Sequence, residues 1–390
     1  MSFDFTHIVK NKQRNSYKIS GMTNNKHYEP EVESIAMTVA DMDFETLTDI
    51  KEAIIKWTNE APFGYTYPGR EYYEAIIDFM KRHHQLEIAK DDILVYGGVI
   101  EMIEQVIQAF TNPEDEVIIF TPVYHPFYRI IRNNNRTIND IPLLYEENRY
   151  QIDFEAFVKQ AKRAETKALL LCSPHNPVGR VWTKEELSKL VSICLENNLI
   201  IISDEIHFDL VNSNSHHTVI TTVSKEAEDI SFVLTSPSKT FNLAGLQCAN
   251  MIVKNKDLRG KLIDFRSKKS GQSVNALGLV ACQAAYNHGD EWIKALNELI
   301  ETNYLQVLSM IEKSLPKATL HKLEGTYLCW LDLKEYGESD AIIEQLSKNQ
   351  VFVNDGRMFG DNGDGFIRLN IAYPTELIKE MIERLTKTFS

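Results

Sequence analysis

Apolar positions along this chain gather in short runs set apart by stretches of helical spacing. Ile93 to Tyr96, Glu116 to Phe120, Ala168 to Cys172, Leu199 to Ser203, Ser231 to Thr235 and Ala249 to Val253 are rich in Val, Ile, Leu and Phe. Such runs predict short strands buried on both faces. Between most of them, segments such as Val99 to Phe110 and Lys184 to Asn197 repeat apolar residues every three or four positions, which predicts helices. Strands alternating with helices predict an α/β fold with a mostly parallel sheet, whose ligands bind at the carboxyl ends of the strands.

The pattern differs toward both ends. An amphipathic helix is predicted from Thr46 to Thr58, and the loop Pro62-Phe63-Gly64-Tyr65-Thr66-Tyr67-Pro68-Gly69 follows it. Loops rarely expose so many large aromatics, so this one is expected to pack against another part of the chain or a second subunit. After Ser273 the pattern predicts a helix from Glu291 to Leu315, a strand from Gly325 to Leu331 and a helix from Asp340 to Lys348. A glycine-rich stretch from Phe359 to Gly365, a strand from Phe366 to Ile371 and a helix from Thr375 to Thr388 complete a smaller α+β domain. The first forty residues are polar and irregular, with no core of their own. The expected division is therefore a large domain at 46–285, and a small one in which 1–45 packs with 286–390.

Composition narrows the function. The chain has 390 residues, 43% of them hydrophobic, and a net charge of −13. That charge argues against a nucleic-acid or anionic-membrane partner and favours a small substrate. The N-terminus shows no signal-peptide pattern and no apolar run is long enough to span a bilayer, so a cytoplasmic location is expected. The five cysteines, Cys172, Cys194, Cys248, Cys282 and Cys329, are widely spaced and mostly within apolar runs, which predicts buried thiols. His83-His84 and His216-His217 lack a third ligand at helical spacing and are expected at the solvated surface, with no metal site.

Candidate chemistry gathers at the ends of the predicted strands. Thr235-Ser236-Pro237-Ser238-Lys239-Thr240 sets one lysine among small hydroxyl residues, as a pyridoxal phosphate (PLP) site requires, although a surface lysine between turn formers has the same pattern. Gly97-Gly98-Val99-Ile100 opens a helix and is either a phosphate cradle or a tight turn. Tyr124 can stack on a planar cofactor or fill core, and Asn176, between prolines, can aim its amide at a ligand or simply form a turn. Asp204 ends a buried strand, where a carboxylate is costly without a partner. His207 is by itself an ordinary core histidine, and Arg368 an ordinary ion-pairing one.

In order and spacing, Asn176-Pro-x-Gly, Asp204-Glu-Ile-His207 and Ser236-Pro-Ser-Lys239-Thr-Phe resemble the fold-type I PLP enzymes of the aminotransferase class I/II superfamily. Val39-Ala40-Asp41-Met42-Asp43-Phe44, Asp209-Leu210, Asn242-Leu-Ala-Gly-Leu246-Gln247, Ser273-Val-Asn-Ala-Leu-Gly278, Glu324-Gly-Thr-Tyr-Leu328 and Phe366-Ile-Arg368-Leu-Asn-Ile-Ala372 narrow it to the PatB/MalY-type cystathionine β-lyases, or carbon-sulfur lyases. The resemblance runs through nearly the whole chain and implies a mostly parallel seven-stranded sheet flanked by helices. It implies that Lys239 carries PLP, Asp204 pairs with the pyridine nitrogen, and Asn176, with His207 close by, faces the ring's phenolic oxygen. Tyr124 would stack on the ring, and Ser236, Ser238 and the helix opening at Gly98, Val99 and Ile100 would hold the phosphate. Tyr65 would reach the phosphate of a neighbouring subunit, which implies a homodimer. Arg368 would clamp the substrate carboxylate, with Asn176 and the backbone of Val39 and Ala40 closing over it.

Three positions depart from the family pattern. Gln247 stands where many wider relatives place a phosphate-binding arginine, Thr38 where a Trp is common, and Arg14 to Ile19 lack the Gly-Thr and Trp of the subgroup. The implied activity is β-elimination of S-substituted L-cysteines such as L-cystathionine to a thiol, pyruvate and ammonia, catalysed by Lys239, Asp204 and Tyr124. Transamination at the same site and a regulatory binding role are the alternatives.

Overall fold

The computed structural model describes residues 3–6, 16–60, 62–146, 149–269 and 274–389. Ser273 and the first two residues of the segment Arg14 to Ile19, named above, lie outside them. A seven-stranded sheet forms the centre, in the spatial order Ile93–Tyr96, Ala249–Ile252, Ser231–Thr235, Ile200–Asp204, Thr166–Cys172, Glu116–Thr121 and Thr137–Pro142. Ala249–Ile252 runs antiparallel to both its neighbours, and every other pairing is parallel.

The continuous apolar runs are explained by cover on both faces. Ile118, Phe120, Leu169, Leu171, Ile201 and Val233 face one buried cluster, while Val117, Ile119, Leu170, Ile202, Phe232 and Leu234 face the other. Successive side chains of a strand point to opposite faces, so both positions of each pair must be apolar. The helix Val99–Phe110 buries Met102, Ile103, Val106 and Ile107 against the second cluster.

A four-stranded sheet is built from Thr319–Leu320, Leu328–Asp332, Phe366–Asn370 and Asn354–Asp355. Ile35–Ala36 pairs in parallel with Val351–Phe352, which brings the early segment against the C-terminal part. The loop after Asn176 is tied to the same part. The buried guanidinium of Arg180 pairs with Glu324 at 2.8 Å, and Glu324 also accepts the Val181 N–H. Gly179 lies beside this contact at φ +70, where a Cβ would stand 2.7 Å from the Leu323 side chain, so only glycine allows it.

Several described elements, Arg70–His84 and Ala276–His288 among them, were not assigned from the sequence, and for two more the reason is plain. Thr137–Pro142 is an edge strand with alternating burial, so its polar sequence lacks the apolar run of a central strand. The early segment is not wholly irregular either. Tyr17–Thr23 forms a short helix that buries only Lys18 and Met22, too little apolar surface to leave a periodic signal.

Candidate active site

The strands of the large sheet end at a cavity of about 680 Å³. Every site residue named from the sequence lines it except Tyr65, which is fully exposed and elsewhere in the chain. In register, Cys172 lies beside Asp204 and Asp204 beside Leu234. Three successive strand ends thus present Asn176, Asp204 and the Ser236 to Lys239 loop to one space.

Lys239 follows the strand Ser231–Thr235 and its Nζ donates to the Ala40 carbonyl at 2.8 Å. Burial lowers its pKa, and the nearby charge of Asp41 opposes that shift. The segment it touches is held from several directions. Asn370 Nδ2 donates to the carbonyls of Val39 and Asp41, both at 2.7 Å, and the Tyr327 hydroxyl donates to Ala40 at 2.8 Å. Asn242 accepts from the Met42 N–H at 3.0 Å and donates to its carbonyl at 2.9 Å. Lys18 is buried with its ammonium on the Asp41 carbonyl at 2.8 Å and paired with Asp43 at 3.2 Å. Sequence reasoning did not single out these four side chains. Asn242, Asn370 and Tyr327 lie inside recognised motifs, whereas Lys18 carried no signal of its own.

Asp204 closes the strand Ile200–Asp204 and is buried. Burial pushes its pKa up to about 7, with the Ile206 N–H, at 3.3 Å, and Lys239 opposing and Glu205 adding to the rise. It has no cation at ion-pair distance among the described residues, so the carboxyl needs a partner that the chain does not supply. His207 is buried, and its Nδ1 has no hydrogen-bond partner among the described residues. Burial holds it well below its ordinary pKa and therefore neutral. Tyr124 is a half-buried neutral phenol, pushed up to about 12 mainly by burial.

Arg368 is also buried, yet it pairs with no carboxylate among the described residues. It donates to Asn176 Oδ1 at 3.0 Å, Asn354 Oδ1 at 2.8 Å and the Thr38 carbonyl at 3.2 Å, while its Nε has no partner. Burial lowers its pKa to about 10, which leaves it cationic at neutral pH.

At the opposite end, Gly98 precedes the first turn of Val99–Phe110, whose leading N–H groups have no partner within the helix. A Cβ on Gly98 would meet nothing within 4 Å, so the backbone there faces open space. Ser236 Oγ donates to the Cys248 carbonyl at 2.8 Å and lies 2.7 Å from Ser238 Oγ. Gln247 is exposed and does not line the cavity.

Two expectations about histidines are corrected. His84 and His217 are buried, not solvated. His84 Nε2 meets Asp209 Oδ1 at 2.7 Å, and His217 Nε2 meets Glu205 Oε2 at 2.8 Å. Both carboxylates are too distant in sequence for helical spacing to reveal them. The face of Arg70–His84 that carries Ile76, Phe79 and Met80 carries His84 inward too, to stack on Phe208 at 4.1 Å. No group of three possible metal ligands occurs among the described residues, and no helix among them is long and apolar enough to cross a membrane. All five cysteines are buried and free.

Residues 32–385 match the model of the family Aminotransferase class I and II. The chain belongs to this family. Within it, the chain is 35% identical to cystathionine beta-lyase PatB of Bacillus subtilis over 92% of its length and 93% of the relative's. Its fold is similar to that of cystalysin from Treponema denticola, a structure that contains pyridoxal 5'-phosphate, with a TM-score of 0.95 and 39% identity over 100% of this chain and 99% of that one. The PLP-bound C-S lyase of Staphylococcus hominis follows at a TM-score of 0.94 and 31% identity, over 100% and 99% of the two chains.

The cavity fits the cofactor of these relatives. A carboxyl without a cation, a buried imidazole nitrogen without a partner and a helix opening onto free space call for a pyridine nitrogen, a ring oxygen and a phosphate respectively.

Proposed function

We propose that this chain is a PLP-dependent carbon-sulfur β-lyase that converts S-substituted L-cysteines, L-cystathionine among them, to a thiol, pyruvate and ammonia. The observation that carries the reading is the buried Arg368, with no acidic partner, in one cavity with Lys239 and Asp204. A buried guanidinium is costly without an anion, and the substrate's α-carboxylate is the anion it fits.

In this reading Lys239 holds PLP, Asp204 faces the pyridine nitrogen, and Asn176 and His207 face the ring oxygen. Tyr124 stacks on the ring, while Ser236, Ser238 and the N–H groups of Val99 and Ile100 take the phosphate, with Gly98 leaving room for it. When bound, PLP supplies an electron sink for the charge left when Cα loses its proton. Asp204 keeps the ring nitrogen protonated, which that sink requires. Lys239 is a suitable base because burial lowers its pKa. Its Nζ takes the Cα proton and returns a proton to the thiolate that leaves Cβ. Asn176 and the backbone of Val39 and Ala40 steady the carboxylate that Arg368 grips.

The reading includes a homodimer. Phe63, Tyr65 and Tyr67 are strongly exposed in the single chain, and a second subunit that received Tyr65 at its phosphate site would cover them. The division into 46–285 and 1–45 with 286–390, and a cytoplasmic location, belong to the same proposal.

The test is product analysis with L-cystathionine. Equal pyruvate and free thiol without added keto acid support the lyase. Amino transfer to 2-oxoglutarate with no thiol release would overturn it in favour of transamination, which uses the same residues up to loss of the Cα proton.

A further inference from the structure

The cavity wall holds one cationic side chain to which the proposed chemistry gives no role. Three cationic side chains line it, Lys239, Arg368 and Arg129, against a single carboxylate, Asp204. Lys239 and Asp204 serve the cofactor and Arg368 the α-carboxylate, so Arg129 is left over. It lies on the helix Pro126–Asn133, one turn beyond His125, and that spacing turns both toward the cavity. The His125 ring meets Phe359 edge-on at 5.8 Å, and Arg368 lies over that same ring at 4.8 Å, so this helix borders the Arg368 end of the site. No carboxylate lies at ion-pair distance from Arg129 among the described residues. His125 adds no charge, because burial, Arg368 and Arg129 together bring its pKa down to about 4.

The remaining wall that the proposed chemistry leaves unassigned is largely apolar or neutral. Met22, Ile343, Phe352, Val353 and Met358 line the cavity, with Asn25 and Ser347 as neutral polar groups. An apolar linker fits such a wall, an anionic tip finds Arg129, and a cationic tip finds no carboxylate.

We infer that Arg129 selects cysteine thioethers whose sulfur substituent ends in a carboxylate. The inference rests on the lyase reading and names the substrate class of that same site. A guanidinium binds a carboxylate through two parallel hydrogen bonds, and because Arg129 is exposed to solvent the gain stays modest.

The experiment compares S-(2-carboxyethyl)-L-cysteine with S-(2-carbamoylethyl)-L-cysteine, which has the same shape and no charge, using the PLP-loaded enzyme. The expected ratio of kcat/KM is about three- to tenfold in favour of the carboxylate. It is carried mainly by KM and shrinks as salt is added. In Arg129→Gln the ratio falls to about one. Arg129→Lys keeps the charge without the fork and retains part of the ratio. Equal kcat/KM for the two compounds in the wild type, or a ratio that survives in Arg129→Gln, overturns the inference and leaves the lyase reading standing. Pyruvate from neither compound overturns both.

Discussion

Replacing Asp204 with Asn stabilises the cofactor-free protein at alkaline pH. The Asp204 carboxyl is buried, and its pKa is pushed from the ordinary 3.8 to about 7. Unfolded, the group loses its proton near the ordinary value; folded, it keeps the proton until about pH 7. Between those two values the folded state holds the extra proton, so stability falls as pH rises through the window and stays low above it. The gap corresponds to about 4 kcal/mol against the folded state above pH 7, which Asn, unable to ionise, does not suffer. With an unfolding entropy of about 2 cal/mol/K per residue over this chain, that is about 5 °C in melting temperature. Asn also keeps an oxygen for the Ile206 N–H, so the substitution removes little else. The assay is calorimetric melting of cofactor-free wild type and Asp204→Asn at about pH 5.5 and pH 8.5. The variant should melt higher at both, with a free-energy gap about twice as large at the higher pH. With PLP present the order should reverse, because the proposed reading gives the carboxylate the ring nitrogen as its partner. Equal melting of the cofactor-free forms at pH 8.5, or a more stable wild type, would refute the reasoning.

Three further outcomes follow from the geometry. Arg368→Lys keeps the charge but loses the planar fork, and should lower kcat/KM for an S-substituted cysteine about 10- to 100-fold, mostly through KM, in steady-state assays. Gly98→Ala should leave the melting temperature of the cofactor-free protein nearly unchanged, because the new Cβ meets nothing within 4 Å. Fluorescence titration should nonetheless show about tenfold weaker PLP binding, since the methyl group enters space assigned to the phosphate. Thr240→Val removes the hydroxyl that donates to Asp209 Oδ2 at 2.7 Å and should cost about 1–3 kcal/mol in urea denaturation, while Thr240→Ser restores it.

The fold was most legible where local pattern and tertiary environment agree. Ser231–Thr235, Val99–Phe110 and Thr375–Thr388 match the sequence expectation to the residue. Their signals are strong because the strand is buried on both faces and the helices carry one apolar side each. Thr137–Pro142 was not legible because an edge strand with one partner need not be apolar throughout. The part of the cavity wall formed by Asn176, Asp204 and the Ser236 to Lys239 loop was legible because these residues sit at or just beyond the ends of predicted strands, and a mostly parallel sheet gathers such ends on one side. Lys18 and Asp43, His84 and Asp209, and His217 and Glu205 were not legible as pairs. Each joins positions that only the folded chain brings together, and a buried charge looks in sequence like a surface one until its partner is known. Arg129 was passed over for the same reason. Nothing in its neighbourhood in sequence separates an arginine on a cavity wall from one in solvent.

The central claim is that Lys239 is the residue around which the cofactor and the chemistry are organised. The most direct measurement loads the purified protein with PLP, reduces it with borohydride to fix the cofactor to whichever lysine holds it, and maps the modified peptide by mass spectrometry. The account predicts the pyridoxyl group on the peptide that contains Lys239 and its absence from the corresponding peptide of Lys239→Ala, together with loss of pyruvate formation in that variant. A pyridoxyl group on a different lysine of an active wild-type enzyme, or full activity in Lys239→Ala, would contradict it.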